Sequence, residues 1–135
     1  MGYDPHRFIL KLIEELGGVE GRTKLQKLIF LGEKELGLPE VFTFDKHHYG
    51  PYSWDLTEVI EDLVASGYLR EDIKIKGEHI SYKYTPTKKI DKSQLKDIKI
   101  PPATISTLKK IKALPLSIIL SYVYRKYLPE RVAVQ

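Results

Sequence analysis

Phe8, Ile9, Leu12, Ile13 and Leu16 recur at three- and four-residue intervals, the spacing that gathers apolar side chains on one face of an α-helix. Asp4 can cap this helix, Pro5 fits its first turn, and Gly17-Gly18 ends it. A second helix is predicted from Thr23, with Gln26 three residues on in a capping-box pattern. Leu25, Leu28, Ile29 and Leu36 would face the core, and Gly37 with Pro39 would stop it. Val41-Phe42-Thr43-Phe44 reads as a short strand, closed by the turn signal Gly50-Pro51. Ser53 is placed to cap a third helix that ends before Gly67 and buries Leu56, Val59, Ile60, Leu63 and Val64.

Beyond the third helix the period changes from helical to alternating. Ile73 and Ile75 alternate with Lys74 and Lys76, Lys76-Gly77-Glu78 makes a turn, and Ile80, Tyr82 and Tyr84 alternate with Ser81 and Lys83, which is the pattern of a β-hairpin. Pro86 ends the second strand because proline cannot donate to the ladder. Residues 88–102 read as a loop with room for one helical turn. A helix is predicted over 104–114, and another from Pro115 to about Tyr127, ended by Pro129, with Leu116, Ile119, Leu120 and Val123 on its inner face. The resulting order predicts an α+β, winged-helix-like fold: three helices, a short strand and a two-stranded wing, with a C-terminal helical extension. Residues 1–90 would form the core, and residues 91–135 an extension packed on the same domain. The alternative is a helical bundle with an appended hairpin.

Composition narrows the class. A chain of 135 residues with 42% apolar content suits one core. The absence of cysteine excludes disulfides, thiolate metal sites and cysteine nucleophiles. Charged residues break every apolar stretch before it could span a bilayer, so no membrane association is expected. The N-terminal segment lacks the apolar run of a signal peptide, and its sixth residue is His6 where myristoylation requires Ser or Thr, so a cytoplasmic location is expected. Abundant Lys, Glu and Ile with a single Met lean towards a heat-adapted source. Charge is unevenly distributed. Residues 1–66 carry 7 basic and 12 acidic side chains, a net of −5, whereas residues 67–135 carry 15 and 6, a net of +9. Attraction to polyanions would come from the second half.

The segment Thr23-Lys24-Leu25-Gln26-Lys27-Leu28-Ile29-Phe30, followed by Tyr49-Gly50-Pro51-Tyr52-Ser53, Leu56, Ile60, Leu63 and Gly67-Tyr68-Leu69, resembles the YwgA-type and SocA-like (Panacea-domain) families. These share such a pattern across a winged-helix-like core. Leu120-Ser121-Tyr122-Val123-Tyr124-Arg125-Lys126-Tyr127 is similar to the aromatic ending of YwgA-type members. The resemblance covers residues 8–70 well and the remainder loosely. It implies phage-associated proteins, transcriptional regulators, antitoxins or partner-delivering adaptors, and it carries over no active site. Read physically, Tyr49, Gly50, Pro51, Tyr52 and Ser53 form a strand-to-helix corner: Gly50 tolerates positive φ, Pro51 sets the turn, and Ser53 caps the helix. A binding surface made by the two tyrosines is the functional alternative.

Two surfaces are candidates for recognition. The hairpin and its base carry Arg70, Lys74, Lys76, Lys83, Lys88 and Lys89, and a basic wing can track phosphates. Lysines also decorate edge strands to block aggregation. The third helix, which would enter the major groove in a DNA reader, instead carries Asp55, Glu58, Glu61 and Asp62 and no basic residue. Those carboxylates would repel a phosphate backbone and suit a basic protein partner. Arg22, Lys24 and Lys27 read as a solvated helix face, with phosphate contact as the alternative, and Lys109, Lys110 and Lys112 as the wet side of an amphipathic helix, with a nucleic-acid or membrane surface as the alternative. Tyr122, Tyr124 and Tyr127 read as packing residues or a homodimer contact through the C-terminal helices. His47-His48 point to opposite faces of a strand, and no metal site, cofactor or catalytic constellation is expected. The expectation is a non-enzymatic DNA-binding regulator contacting phosphates through its wing and C-terminal half, with a protein-interaction or antitoxin-like module using the third helix as the alternative.

Overall fold

The computed structural model describes residues 4–47 and 50–128. Helix α1 spans Pro5–Leu16; Asp4 accepts a hydrogen bond from the His6 amide, and Gly17 closes the helix at φ 74°. Phe8, Ile9, Leu12, Ile13 and Leu16 are all fully buried. Each is worth roughly 1.5–3 kcal/mol against about 1 kcal/mol for the cap, so packing dominates this helix. Strand β1, Val19–Glu20, follows, then α2 at Arg22–Glu35. Residues 25–33 of α2 are buried without a break, because this helix is enclosed by the elements around it. The short strands β2 (Asp45–His47) and β3 (Gly50–Tyr52) pair antiparallel and lead into α3, Trp54–Ala65. Strands β4 (Leu69–Lys76) and β5 (His79–Pro86) form the hairpin. A 3-10 turn at Lys92–Leu95 precedes α4 (Pro102–Lys112) and α5 (Leu116–Tyr127).

The fold is therefore α+β, with five helices and two small antiparallel sheets, ordered β1-β5-β4 and β2-β3, among the described residues. The main core joins α1, α2 and α3 to Leu69, Tyr84, Leu95, Ile105 and Leu108. A second apolar cluster, Phe30, Leu31, Ile119 and Val123, seats α5 on α2. Phe30 stands edge-on to Phe44 and to Tyr127, with centroids 5.3 and 4.9 Å away. Glu35 reinforces that seat, accepting hydrogen bonds from Tyr122 (2.8 Å) and Tyr127 (2.5 Å) and pairing with Lys126 at 3.0 Å. Burial pushes its carboxyl up, but these three partners outweigh burial and hold it below the usual carboxylate range.

Several sequence expectations are corrected. Helix α2 starts at Arg22 behind Gly21, without a side-chain cap, because the Gln26 side chain is buried and engaged elsewhere. Residues 41–44 are not a strand: Val41 N–H closes a turn on Pro39, and Phe42 N–H is taken by the Glu33 carboxylate at 3.2 Å. A side chain thus occupies the place a partner strand would fill. Gly50-Pro51 lies inside β3 and is not a closing turn; His48, Tyr49 and Pro129 lie outside the described residues. The hairpin reverses over Gly77-Glu78 alone, since Lys76 already pairs with His79. Its distal apolar residues Ile73, Ile75 and Ile80 are exposed, because the helices reach only its base. Leu116, expected on the inner face of α5, is 37% exposed.

Burial pushes the Glu33 carboxyl up to about 7, against the opposing hydrogen bonds from the Phe42 and Val41 amides. The folded protein therefore keeps a proton that the unfolded chain has released. This contribution to stability is fully present below about pH 4.5, falls as pH rises to about 7, and is flat beyond. The span is on the order of 3 kcal/mol. Glu33→Gln should remove that slope, as read from urea midpoints measured between pH 4 and 8.

Candidate functional site

The two halves of the Thr23–Phe30 and Gly50–Ser53 pattern are hydrogen-bonded to each other. Gln26 Oε1 accepts from the Ser53 amide at 2.8 Å, and Gln26 Nε2 donates to the Ser53 carbonyl at 3.0 Å. A side-chain amide thereby pairs with one residue's backbone as a neighbouring strand would. One position on, Lys27 Nζ donates to the Pro51 carbonyl at 2.9 Å, and Lys27 is fully buried. The expected solvated face at Arg22, Lys24 and Lys27 is thus overturned for Lys27. Gly50 sits at φ 94°, and a Cβ there would come within 3.1 Å of the Tyr124 ring and 3.4 Å of Lys27 Cε. The corner is therefore built from buried parts, with Ser53 fully buried and its hydroxyl accepting from the Leu56 amide at 3.2 Å.

This corner launches α3 and orients its outer face. Tyr52 OH lies 2.6 Å from Thr57 Oγ1, and its ring meets Trp54 edge-on at 4.9 Å. Trp54 is 57% exposed. Asp55, Glu58, Glu61 and Asp62 are all exposed on the same helix. Asp62 is joined to His6 Nε2 at 2.8 Å. Among the described residues no ion pair reaches Asp55, Glu58 or Glu61. Beside the helix, Arg22 stacks on Tyr82 at 3.6 Å and donates to Tyr84 OH at 3.0 Å, and Tyr84 donates to Glu71 at 2.8 Å. Burial pushes the Tyr84 hydroxyl up to about 12. It remains a neutral hydroxyl that donates within the sheet to Glu71 and ties α2 to the sheet by accepting from Arg22.

The six basic residues expected to touch nucleic acid do not form one surface. Arg70 is paired with Asp72 at 3.0 Å. Lys89 donates to the Ser66 carbonyl at 2.6 Å and lies over the Tyr68 ring, capping the end of α3. Lys88 is exposed beside it. Lys74 and Lys76 project from the exposed end of the hairpin, and Lys83 stands partly buried nearer its base. Lys112, expected on a wet face, donates to the Leu16 and Gly18 carbonyls at 2.5 and 3.0 Å. Sequence periodicity places a lysine on a face, but it does not see the carbonyls that a distant helix end brings there.

No family model matches the chain. Over 82 residues it is 39% identical to "Uncharacterized protein YwgA" of Bacillus subtilis (strain 168), a stretch covering 61% of this chain and 49% of that protein. The chain thus spans about half the length of the curated relative it matches. The likeness agrees with the YwgA side of the resemblance in the sequence and adds nothing for the SocA-like side. Among the described residues no helix is long and apolar enough to cross a membrane, and no group of three His, Asp or Glu could hold a metal ion.

Two substitutions test the corner. Gln26→Leu strands the buried Ser53 amide and should cost about 2–3 kcal/mol. Gly50→Ala places a Cβ at positive φ against Tyr124 and should cost about 2 kcal/mol. Both losses are read from equilibrium urea unfolding.

Proposed function

We propose that this chain is a non-enzymatic, cytoplasmic protein-interaction module of winged-helix-like build that engages a basic protein segment through the outer face of α3. The winged-helix description draws on the strand order β1-β5-β4, with β1 between the first two helices and the hairpin directly after the third. The functional reading is carried by a single observation. At the helix a DNA reader would insert in the major groove, α3 instead displays Trp54 flanked by Asp55, Glu58, Glu61 and Asp62. A tryptophan within a charged surround is the composition of an interface anchor and its steering rim. Membership of the YwgA-type family is part of the same proposal. The adaptor and antitoxin roles implied by the resemblance to the YwgA-type and SocA-like families are of this protein-binding class.

A second reading, DNA binding through the wing, is favoured by the register of the hairpin. Lys74 lies opposite Ser81, Lys76 opposite His79, and Asp72 opposite Lys83, which places the three lysines on one face of the ribbon.

Trp54 is the chain's one tryptophan, so its emission reports binding at α3 directly. A stoichiometric partner recovered from the source cell and then purified should shift that emission to shorter wavelength. Its affinity should fall at least tenfold for the Glu58→Lys, Glu61→Lys, Asp62→Lys triple variant. Undiminished binding by that variant would overturn the proposal. Saturable binding of random duplex DNA, with a steep negative salt slope and loss on reversing Lys74, Lys76 and Lys83 to Glu, would establish the second reading in its place.

A further inference from the structure

Away from α3, the loop between α1 and α2, the first half of β5 and the α4–α5 corner enclose a cleft of about 660 Å³, within the size range of small-molecule sites. Arg22, Lys24, Lys83 and Lys112 line it, together with His79, Tyr82, Ile80 and Leu116. The lysines converge from three elements. Lys24 Nζ donates to the Lys112 and Leu114 carbonyls at 2.9 and 2.8 Å, while Lys112 Nζ holds the Leu16 and Gly18 carbonyls. These contacts fix both ammonium groups at the ends of α4 and α1 and use two of the three protons on each. The carbonyls carry only partial charge, so the positive charge is only partly compensated.

Among the described residues Glu20, across from Lys83 in the β1–β5 ladder, is the one carboxylate on the lining. Among the described residues no ion pair involves Lys24, Lys83, Lys109 or Lys112. Burial, then the neighbouring Lys109, Lys83 and Lys24 charges, hold the Lys112 ammonium below the usual lysine value. Such a cluster is held together by the fold against its own repulsion, and a bound anion would relieve that cost.

The rest of the lining suits the body of the same ligand. Tyr82 presents a ring already stacked by Arg22, and Ile80 and Leu116 supply apolar surface. Strand β1 covers only Tyr84 and Lys83 of β5. Tyr82 O accepts from the Gly21 amide at 2.6 Å, so the backbone groups of Ile80, two residues away, point to the same open edge. Helix α2 also starts at this cleft, with no side chain capping its first amides.

We propose that this cleft binds a phosphate-bearing small molecule of nucleotide size, with its phosphates held by Lys24, Lys83 and Lys112 and its flat portion set against Tyr82 and Leu116. The three lysines are partly buried, and this recessed placing suits a terminal phosphate rather than a duplex backbone, which the exposed Lys74 and Lys76 would meet first. The site is independent of the α3 surface and stands or falls without it.

The test is a titration of the full chain, with nitrogen-15 amide spectra recorded at constant ionic strength. ATP, pyrophosphate, adenosine and a random DNA duplex serve as probes. ATP should give saturable shifts at Gly21, Arg22, Thr23 and Lys83, with adenosine at least tenfold weaker and pyrophosphate competing. Lys83→Glu should weaken ATP at least tenfold with its melting temperature little changed, and Lys83→Arg should retain binding. Absence of saturable shifts with both ATP and pyrophosphate, or ATP binding unmoved by Lys83→Glu, would overturn the proposal. So would a duplex that competes with ATP, binds more tightly than ATP does and is lost on Lys83→Glu, since the cleft would then be a nucleic-acid contact.

Discussion

The paired hydrogen bonds between the Gln26 amide and the Ser53 backbone, with Lys27 on the neighbouring Pro51 carbonyl, set the geometry that the other elements follow. Helix α2 is buried along most of its length, and burying Gln26 and Lys27 is costly unless their polar atoms are met. The Gly50–Ser53 segment meets them. In return, the side chains of α2 fix where β3 ends and α3 begins, and therefore which face of α3 looks outward. Gly50 completes the arrangement by letting Tyr124 and Leu128 approach the backbone closely. A polar contact at the centre of the molecule thus joins the three-helix core to the C-terminal helix.

Charge is sorted by this scaffold into two separate surfaces. The carboxylates of α3 stay on an outer face, beside Trp54. Lys24, Lys83 and Lys112 come together between the hairpin and the α4–α5 corner, although 88 positions separate Lys24 from Lys112 in the chain. Many of the remaining cations are spent within the fold, Arg70 on Asp72, Lys89 on the end of α3 and Lys126 on Glu35. Net charge alone therefore overstates the attraction of the second half for polyanions. What matters for recognition is which cations keep an uncompensated proton donor facing open space.

Legibility from the sequence followed the range of the interactions. The limits of α1 were readable because Asp4, Pro5 and Gly17 act on their immediate neighbours. Ser53 was readable as the cap of α3 for the same reason. The hairpin, α4 and α5 were placed from period and proline positions, whereas the 3-10 turn was only allowed for somewhere within residues 88–102. Strand β1 was missed: two residues carry no period, and its pairing depends on Tyr84 and Lys83, more than sixty residues away. Gln26 was misread as part of a capping box because its real partner, Ser53, is remote in sequence. Thr43 and Phe44 alternate well enough for a strand, yet the Glu33 carboxylate claims the preceding amide.

The sequence by itself determined the presence of the five described helices and of the β4–β5 hairpin, the acidic character of α3 and the basic character of the later half. These depend on residues within a few positions of one another, where spacing translates directly into geometry. The tertiary structure alone decided which polar groups were consumed inside the fold and which faced outward. It buried Lys27, turned Lys89 and Lys112 into helix-end clamps, and gathered three lysines around one cleft. Hydrogen-bond partners of that kind are set by through-space distance, and distance across the core is not written in any local pattern.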